Sequence, residues 1–182
     1  MNRRSLVLIF AVCAFGLPVL ADAPVAPYAG QQTRTIKALA PADVAALLKG
    51  EGMGMAKAAE LNGYPGPLHV LTLSQELKLT ETQRKQVQAT FDQMSATAKP
   101  LGSELVQHEQ AHDQLFAKQK ITPDLLATET KAIAEIQGRL RSVHLAAHLE
   151  TRELLDPEQI ARYQQIRGYA GPRGSMQHHH GG

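Results

Sequence analysis

Apolar side chains in the second half of the chain recur with the period of a helix. Phe91, Ala98, Leu105 and His112 repeat every seven residues, interleaved with Val87, Met94, Leu101, His108 and Leu115. A second stripe of Leu126, Ile133, Leu140 and Ala147 interleaves with Ile136 and Val143. Both are seams of long amphipathic helices. Thr122-Pro123-Asp124 restarts the pattern cleanly, so residues 118–121 read as the tight tip of an antiparallel hairpin. Folding there pairs residues whose numbers sum to about 241. Leu115 then faces Leu126, His108 faces Ile133, Leu101 faces Leu140 and Met94 faces Ala147, with both seams in register. Pro100 removes a backbone donor and crowds the turn before it, which predicts a bend and a curved hairpin.

Shorter elements precede the seams. Residues 22–40 read as an extended, flexible leader. A helix is expected over 41–49, with Pro41 at its first turn and Gly50 past its end. A second is expected over 53–61, stopped by Asn62-Gly63 and a Tyr64-Pro65-Gly66 turn, and a third from Pro67 to Lys78. The glycine-rich stretch over 169–182 reads as a disordered tail. The fold class is therefore all-α, a bent hairpin of long helices with short helices before it and one after it.

Two matching helix starts frame the hairpin. At Thr80-Glu81-Thr82-Gln83 the threonine oxygen is placed to accept from the Gln83 backbone N–H while the glutamine side chain reaches back. Asp156-Pro157-Glu158-Gln159 repeats the device, with Leu155 and Ile160 in the positions of a hydrophobic staple. The pair Leu79-Thr80-x-x-Gln83 and Leu155-Asp156-x-x-Gln159, 76 residues apart, resembles the LTxxQ motif family over residues 68–168. That family includes the Spy/CpxP-type periplasmic chaperones and the CnrX-type periplasmic heavy-metal sensors. Asp156 departs from the motif's threonine, but aspartate caps equally well. The resemblance implies a helical cradle, usually an antiparallel homodimer, that holds unfolded or envelope proteins on a concave face or restrains a membrane-bound stress sensor. It does not reach the residues ahead of Leu68.

Targeting and charge agree with export. Arg3 and Arg4, the apolar run from Leu6 to Leu17 and the small-residue exit Val19-Leu20-Ala21 have the order of a signal peptide over residues 1–21, cleaved near Ala21. The expected location is the periplasm. Cys13, the only cysteine, lies inside that run after Val12, which argues against a lipid anchor and leaves a mature chain without thiols. Cleavage removes two of the 19 basic residues and none of the 17 acidic ones, leaving the two signs balanced. A basic footprint for nucleic acid is absent, and no segment after the leader approaches the ~20 apolar residues of a membrane span.

Catalytic motifs are missing. Ser74, Ser95, Ser103, Ser142 and Ser175 carry no Gly-x-Ser-x-Gly elbow, and no glycine-rich phosphate loop follows a strand, so no enzyme is expected. No cofactor is required, although a divalent transition metal (zinc, copper, nickel or cobalt) is a candidate. His108 and His112 stand at i and i+4, as do His144 and His148, which puts each pair on one helix face as metal ligation requires. In the hairpin register His112 falls near Glu129, making His108, His112 and Glu129 one candidate set. His69, His144 and His148, with Asp92 or Met94, make another. The plain alternative is that these histidines pack and hydrogen-bond within the core. Arg141 and Arg152, close to His148 on the helical wheel, would repel a cation. His178-His179-His180 with Met176 forms a metal-capable tail that nothing preorganises. Adaptable apolar surface for a client is expected at Met94, Leu145 and Leu149, where the 143–149 segment is apolar on two sides.

Overall fold

The structure, a computed structural model, describes residues 26–170. The expected signal peptide with Cys13 and the histidine tail lie outside the described residues. Two units are distinguished. Residues 26–32 form a run of turns closed by the Ala29 N–H donating to the Ala26 carbonyl at 2.9 Å. The second unit, from Thr33 onward, holds the helices α1 (Pro41–Lys49), α2 (Lys57–Glu60), α3 (Pro67–Thr72), α4 (Glu81–Ala117), α5 (Pro123–Leu154) and α6 (Pro157–Ile166). No strand occurs among the described residues, and none of the described helices is long and apolar enough to cross a membrane.

The long helices form the expected hairpin. At its tip Gln119 adopts a left-handed conformation (φ 54°), and the Lys120 N–H closes the turn on the Leu115 carbonyl at 2.8 Å. Thr122 caps α5 by accepting from the Leu125 N–H at 3.3 Å. Leu101, Leu105, Ile133, Ile136 and Leu140 share one buried cluster, as the antiparallel register requires. Helix α4 runs unbroken through Pro100. Pro100 and Ala96, whose carbonyl loses its helical donor, are both exposed residues.

The short elements differ from expectation at their edges. Helix α2 starts at Lys57 rather than near Met53, because Met53 (φ 45°) and Gly54 (φ 78°) are both left-handed and cannot begin a right-handed helix. Helix α3 ends at Thr72 and continues as turns to Lys78, itself at φ 51°. The leader is not free up to residue 40. Ile36 is buried, and Lys37 donates its backbone N–H and its ammonium to the two carboxylate oxygens of Asp113, both at 3.0 Å.

Helix α1 docks on the middle of α4 through Leu47, which completes the hairpin cluster. The approach is so close that a Cβ on Gly102 would lie 2.0 Å from the Leu47 carbonyl oxygen. A second cluster of Val70, Leu77, Val87, Leu155 and Tyr163 closes the open end of the hairpin, bringing α3 and α6 onto the α4 start.

Both motif glutamines meet at that open end. Thr80 accepts from the Gln83 N–H at 3.1 Å, and the Gln83 amide oxygen accepts from the Thr80 N–H at 3.0 Å. Asp156 and Gln159 repeat this at 2.8 and 3.0 Å. The two side-chain amides then bond each other reciprocally, Gln83 Nε2 to Gln159 Oε1 at 2.9 Å and Gln159 Nε2 to Gln83 Oε1 at 3.1 Å. Their remaining hydrogens go to the carbonyls of Leu154 (2.9 Å) and Leu77 (3.2 Å), the first being an otherwise orphaned carbonyl at the end of α5. Every donor of both amides is used. Glutamate at either site keeps the cap but supplies no donors.

Gln159→Glu is therefore expected to lower unfolding free energy by about 2–4 kcal/mol, from two lost hydrogen bonds and the partners left unpaired. Thr80→Ala, which removes only a cap oxygen, is expected to cost about 1 kcal/mol. Urea unfolding of both variants checks the ordering. Gly102→Ala should cost roughly 2 kcal/mol or more by pushing α1 off α4, and hydrogen exchange should show protection lost first over residues 41–49.

Candidate functional site

Positions i and i+4 on a helix are rotated by about 40° from one another, so the two members of a histidine pair need not face the same neighbour. At the hairpin tip they do not. His108 Nδ1 lies 3.1 Å from Glu129 Oε2. His112 instead sets its ring edge-on to Phe116, with centroids 5.2 Å apart. It lines a separate cavity of about 490 Å³ with Glu109, Asp113 and Lys37. The expected partner of Glu129 was His112; the structure gives it His108, one helical turn earlier. His108, His112 and Glu129 do not form a three-ligand set. Burial pushes the Glu109 carboxyl above its ordinary value there, the nearby His112 opposing it.

The second pair is brought together. His144 and His148 of α5, His69 of α3, Met94 and Phe91 of α4 and the loop over 49–54 line one cavity of about 550 Å³. Of the candidate set His69, His144 and His148 with Asp92 or Met94, the three histidines and Met94 share this space. Asp92 does not line it; its carboxylate accepts from Gln88 at 2.8 Å. Neither arginine expected to repel a cation lines it. Arg141 lines a different groove, and Arg152 stacks over the Tyr64 ring at 4.6 Å and donates to the Gly63 carbonyl.

His148 is held firmly. Its Nδ1 donates to the Tyr64 carbonyl at 2.7 Å, and a carbonyl can only accept, so the neutral ring carries its lone pair on Nε2. A Cβ on Gly66 would stand 2.9 Å from that Nε2, and the glycine makes room for the ring. His144 is 3% exposed, and its Nε2 is buried without a hydrogen-bond partner. Burial, and then the neighbouring His148, hold its pKa below the ordinary value. His69 is likewise lowered, by burial first and then by Arg167.

Glu60 was not expected from sequence. Its carboxylate accepts from the Tyr163 hydroxyl at 2.5 Å and lies 3.5 Å from Arg167 Nε, 3.7 Å from His69 Nδ1 and 3.8 Å from His148 Nδ1. Burial and that hydrogen bond push the Tyr163 phenol well above its ordinary range. Glu60 thus ties α2 to α3, α5 and α6. Its partners lie as far along the chain as Arg167, and no local pattern marks it. Among the described residues, no three histidine, cysteine, aspartate or glutamate side chains converge as a group that could hold a metal ion.

A third surface is open and apolar. Met53, Met55, Leu61 and Leu39 lie over the core residue Leu105 in a groove of about 710 Å³, rimmed by Lys57, Asn62, Gln137 and Arg141. Of the residues expected to meet clients, Leu149 is 53% exposed and Leu145 half-buried, whereas Met94 belongs to the histidine cavity.

The sequence model of the family described as "LTXXQ motif family protein" matches residues 68–167. No curated protein and no solved structure gives a significant match.

The buried imidazole has a pH consequence. The unfolded His144 ring titrates near its ordinary 6.5 and the folded one lower. The folded state therefore binds the proton less readily. Stability from this site is fully present above the unfolded value and is lost as pH falls from there toward the folded pKa. Between about pH 7.5 and about pH 5 the native protein should lose more stability than His144→Asn, measured by urea unfolding. Parallel losses in the two proteins would refute this.

Proposed function

This chain belongs to the LTXXQ motif family, and on that footing we propose that it is an ATP-independent holdase or stress-modulating protein of the periplasm. Members of the family are typically periplasmic and generally non-enzymatic, and we read this chain as neither catalytic nor dependent on a cofactor. Its partners are unfolded or envelope proteins, and a membrane-bound stress sensor is a second kind of target. The working form is a homodimer.

One observation carries the reading. In the open groove, exposed Met53 and Leu61 belong to a mostly apolar lining that also includes Lys57, Asn62, Gln137 and Arg141. Flexible thioether and leucine surface mixed with charge suits weak, adaptable contact with many sequences, because methionine repacks readily and the rim stays hydrated. Exposed Leu149 adds a second apolar contact on α5.

Purified protein should suppress aggregation of a denatured client at near-stoichiometric ratio, without nucleotide and in the presence of a chelator. Leu61→Glu and Leu149→Glu alter exposed positions, so they should weaken suppression several-fold while leaving the thermal melt unchanged. Absence of suppression by the native protein, by light scattering, would overturn the reading.

A second reading is favoured by a separate observation, that His69, His144 and His148 all line one cavity. On it the protein binds or senses a transition metal there, and the orphaned Nε2 of His144 fits such a ligand better than it fits a dry core.

A further inference from the structure

Met53, Met94, His144 and His148 all line the histidine cavity. Much of its lining comes from the loop over 49–54 and from Glu60, ahead of the stretch that the family model matches. From these side chains we propose that the cavity binds a cuprous ion through the thioethers of Met53 and Met94 and the imidazoles of His144 and His148. The proposal rests on the metal-binding reading and names its ion and its ligands.

Three features support it. First, His148 already has the arrangement that metal-bound imidazoles adopt, one nitrogen donating to a backbone carbonyl (Tyr64, 2.7 Å) and the other carrying a lone pair. Four residues away on the same helix, His144 is buried with a nitrogen that no protein group satisfies. Second, Met53 is one of only three non-glycine residues with positive φ among the described residues. Gly52 and Gly54 flank it, and a side chain held in that costly conformation at a cavity wall marks a position set by something other than helix formation. Third, two of the four donors are thioethers, and among the described residues no three histidine, cysteine, aspartate or glutamate side chains converge as a group that could hold a metal ion. Glu60 also lines the cavity; its Oε1 accepts from Tyr163, while its Oε2 is buried without a hydrogen-bond partner. Thioethers select the soft cuprous ion.

The test uses the full chain with His178→Ala, His179→Ala and His180→Ala, so that the tail contributes nothing. Anaerobic titration with cuprous ion against a bathocuproine chelator should show the protein competing for one equivalent. Met53→Leu and Met94→Leu, which conserve volume, should each weaken binding by about tenfold or more, and His148→Gln by more still. X-ray absorption of the loaded protein should place sulfur among the nearest neighbours of copper, and zinc, nickel and cobalt should bind far more weakly. Cuprous binding unchanged in both methionine variants, or a copper shell without sulfur, overturns the proposal. Divalent ions bound tightly and independently of the methionines overturn it while leaving the metal-binding reading standing. No metal bound at all overturns both, and client suppression, measured separately, is untouched by either result.

Discussion

Two glutamine side chains, one at the start of α4 and one at the start of α6, satisfy each other across the open end of the hairpin. Each amide oxygen closes its own helix's capping box, and each amide nitrogen spends its two hydrogens on the other glutamine and on a backbone carbonyl. Hydrogen bonds of this kind are individually modest, but leaving any one of these partly buried groups unpaired costs more than making the bond gains. The arrangement therefore works as a single joint. With it closed, Leu155 and Tyr163 are carried onto Val70 and Val87, and the second core cluster can form.

The joint also sets the frame on which the shorter elements rest. Helix α1 lies against bare backbone at Gly102, and Ile36 and the Lys37–Asp113 contact secure the segment before it. From there the loop to α2 passes over His144, where a Cβ on Gly52 would meet the ring in ordinary contact, 3.5 Å from Nδ1. Glu60 gathers the end of α2, the start of α3 and the last helix at one carboxylate. The two lowered histidines follow from this covering, since burial removes the water that would stabilise their charged form.

Two surfaces of different chemistry result, divided by the loop that carries Met53 and Gly54, which line both. One is open, apolar and rimmed with charge, suited to contacts that form and release. The other is lined by three imidazoles and the thioethers of Met53 and Met94. Met53, Gly54 and Lys57 thus serve as walls of both surfaces.

Much of the fold was legible in the sequence because helices report themselves locally. The seven-residue seams, the Thr80 and Asp156 caps, Pro41 and Pro123 at first turns and the tip near Lys120 each depend on residues a few positions apart, and each element appears where those residues put it. The pairing of Leu101 with Leu140 followed from register alone. What tertiary structure decided were the contacts whose partners lie far apart along the chain. The mutual bond of Gln83 and Gln159, the gathering role of Glu60, the choice of His108 over His112 by Glu129 and the left-handed turn at Met53 leave no periodic trace. A capping glutamine reads the same whether its spare hydrogens meet water or another helix. A histidine at i+4 reads the same whichever neighbour its 40° rotation brings into reach. Local pattern determines which segments become helices and which faces are apolar; only packing determines which polar atoms on those faces find one another.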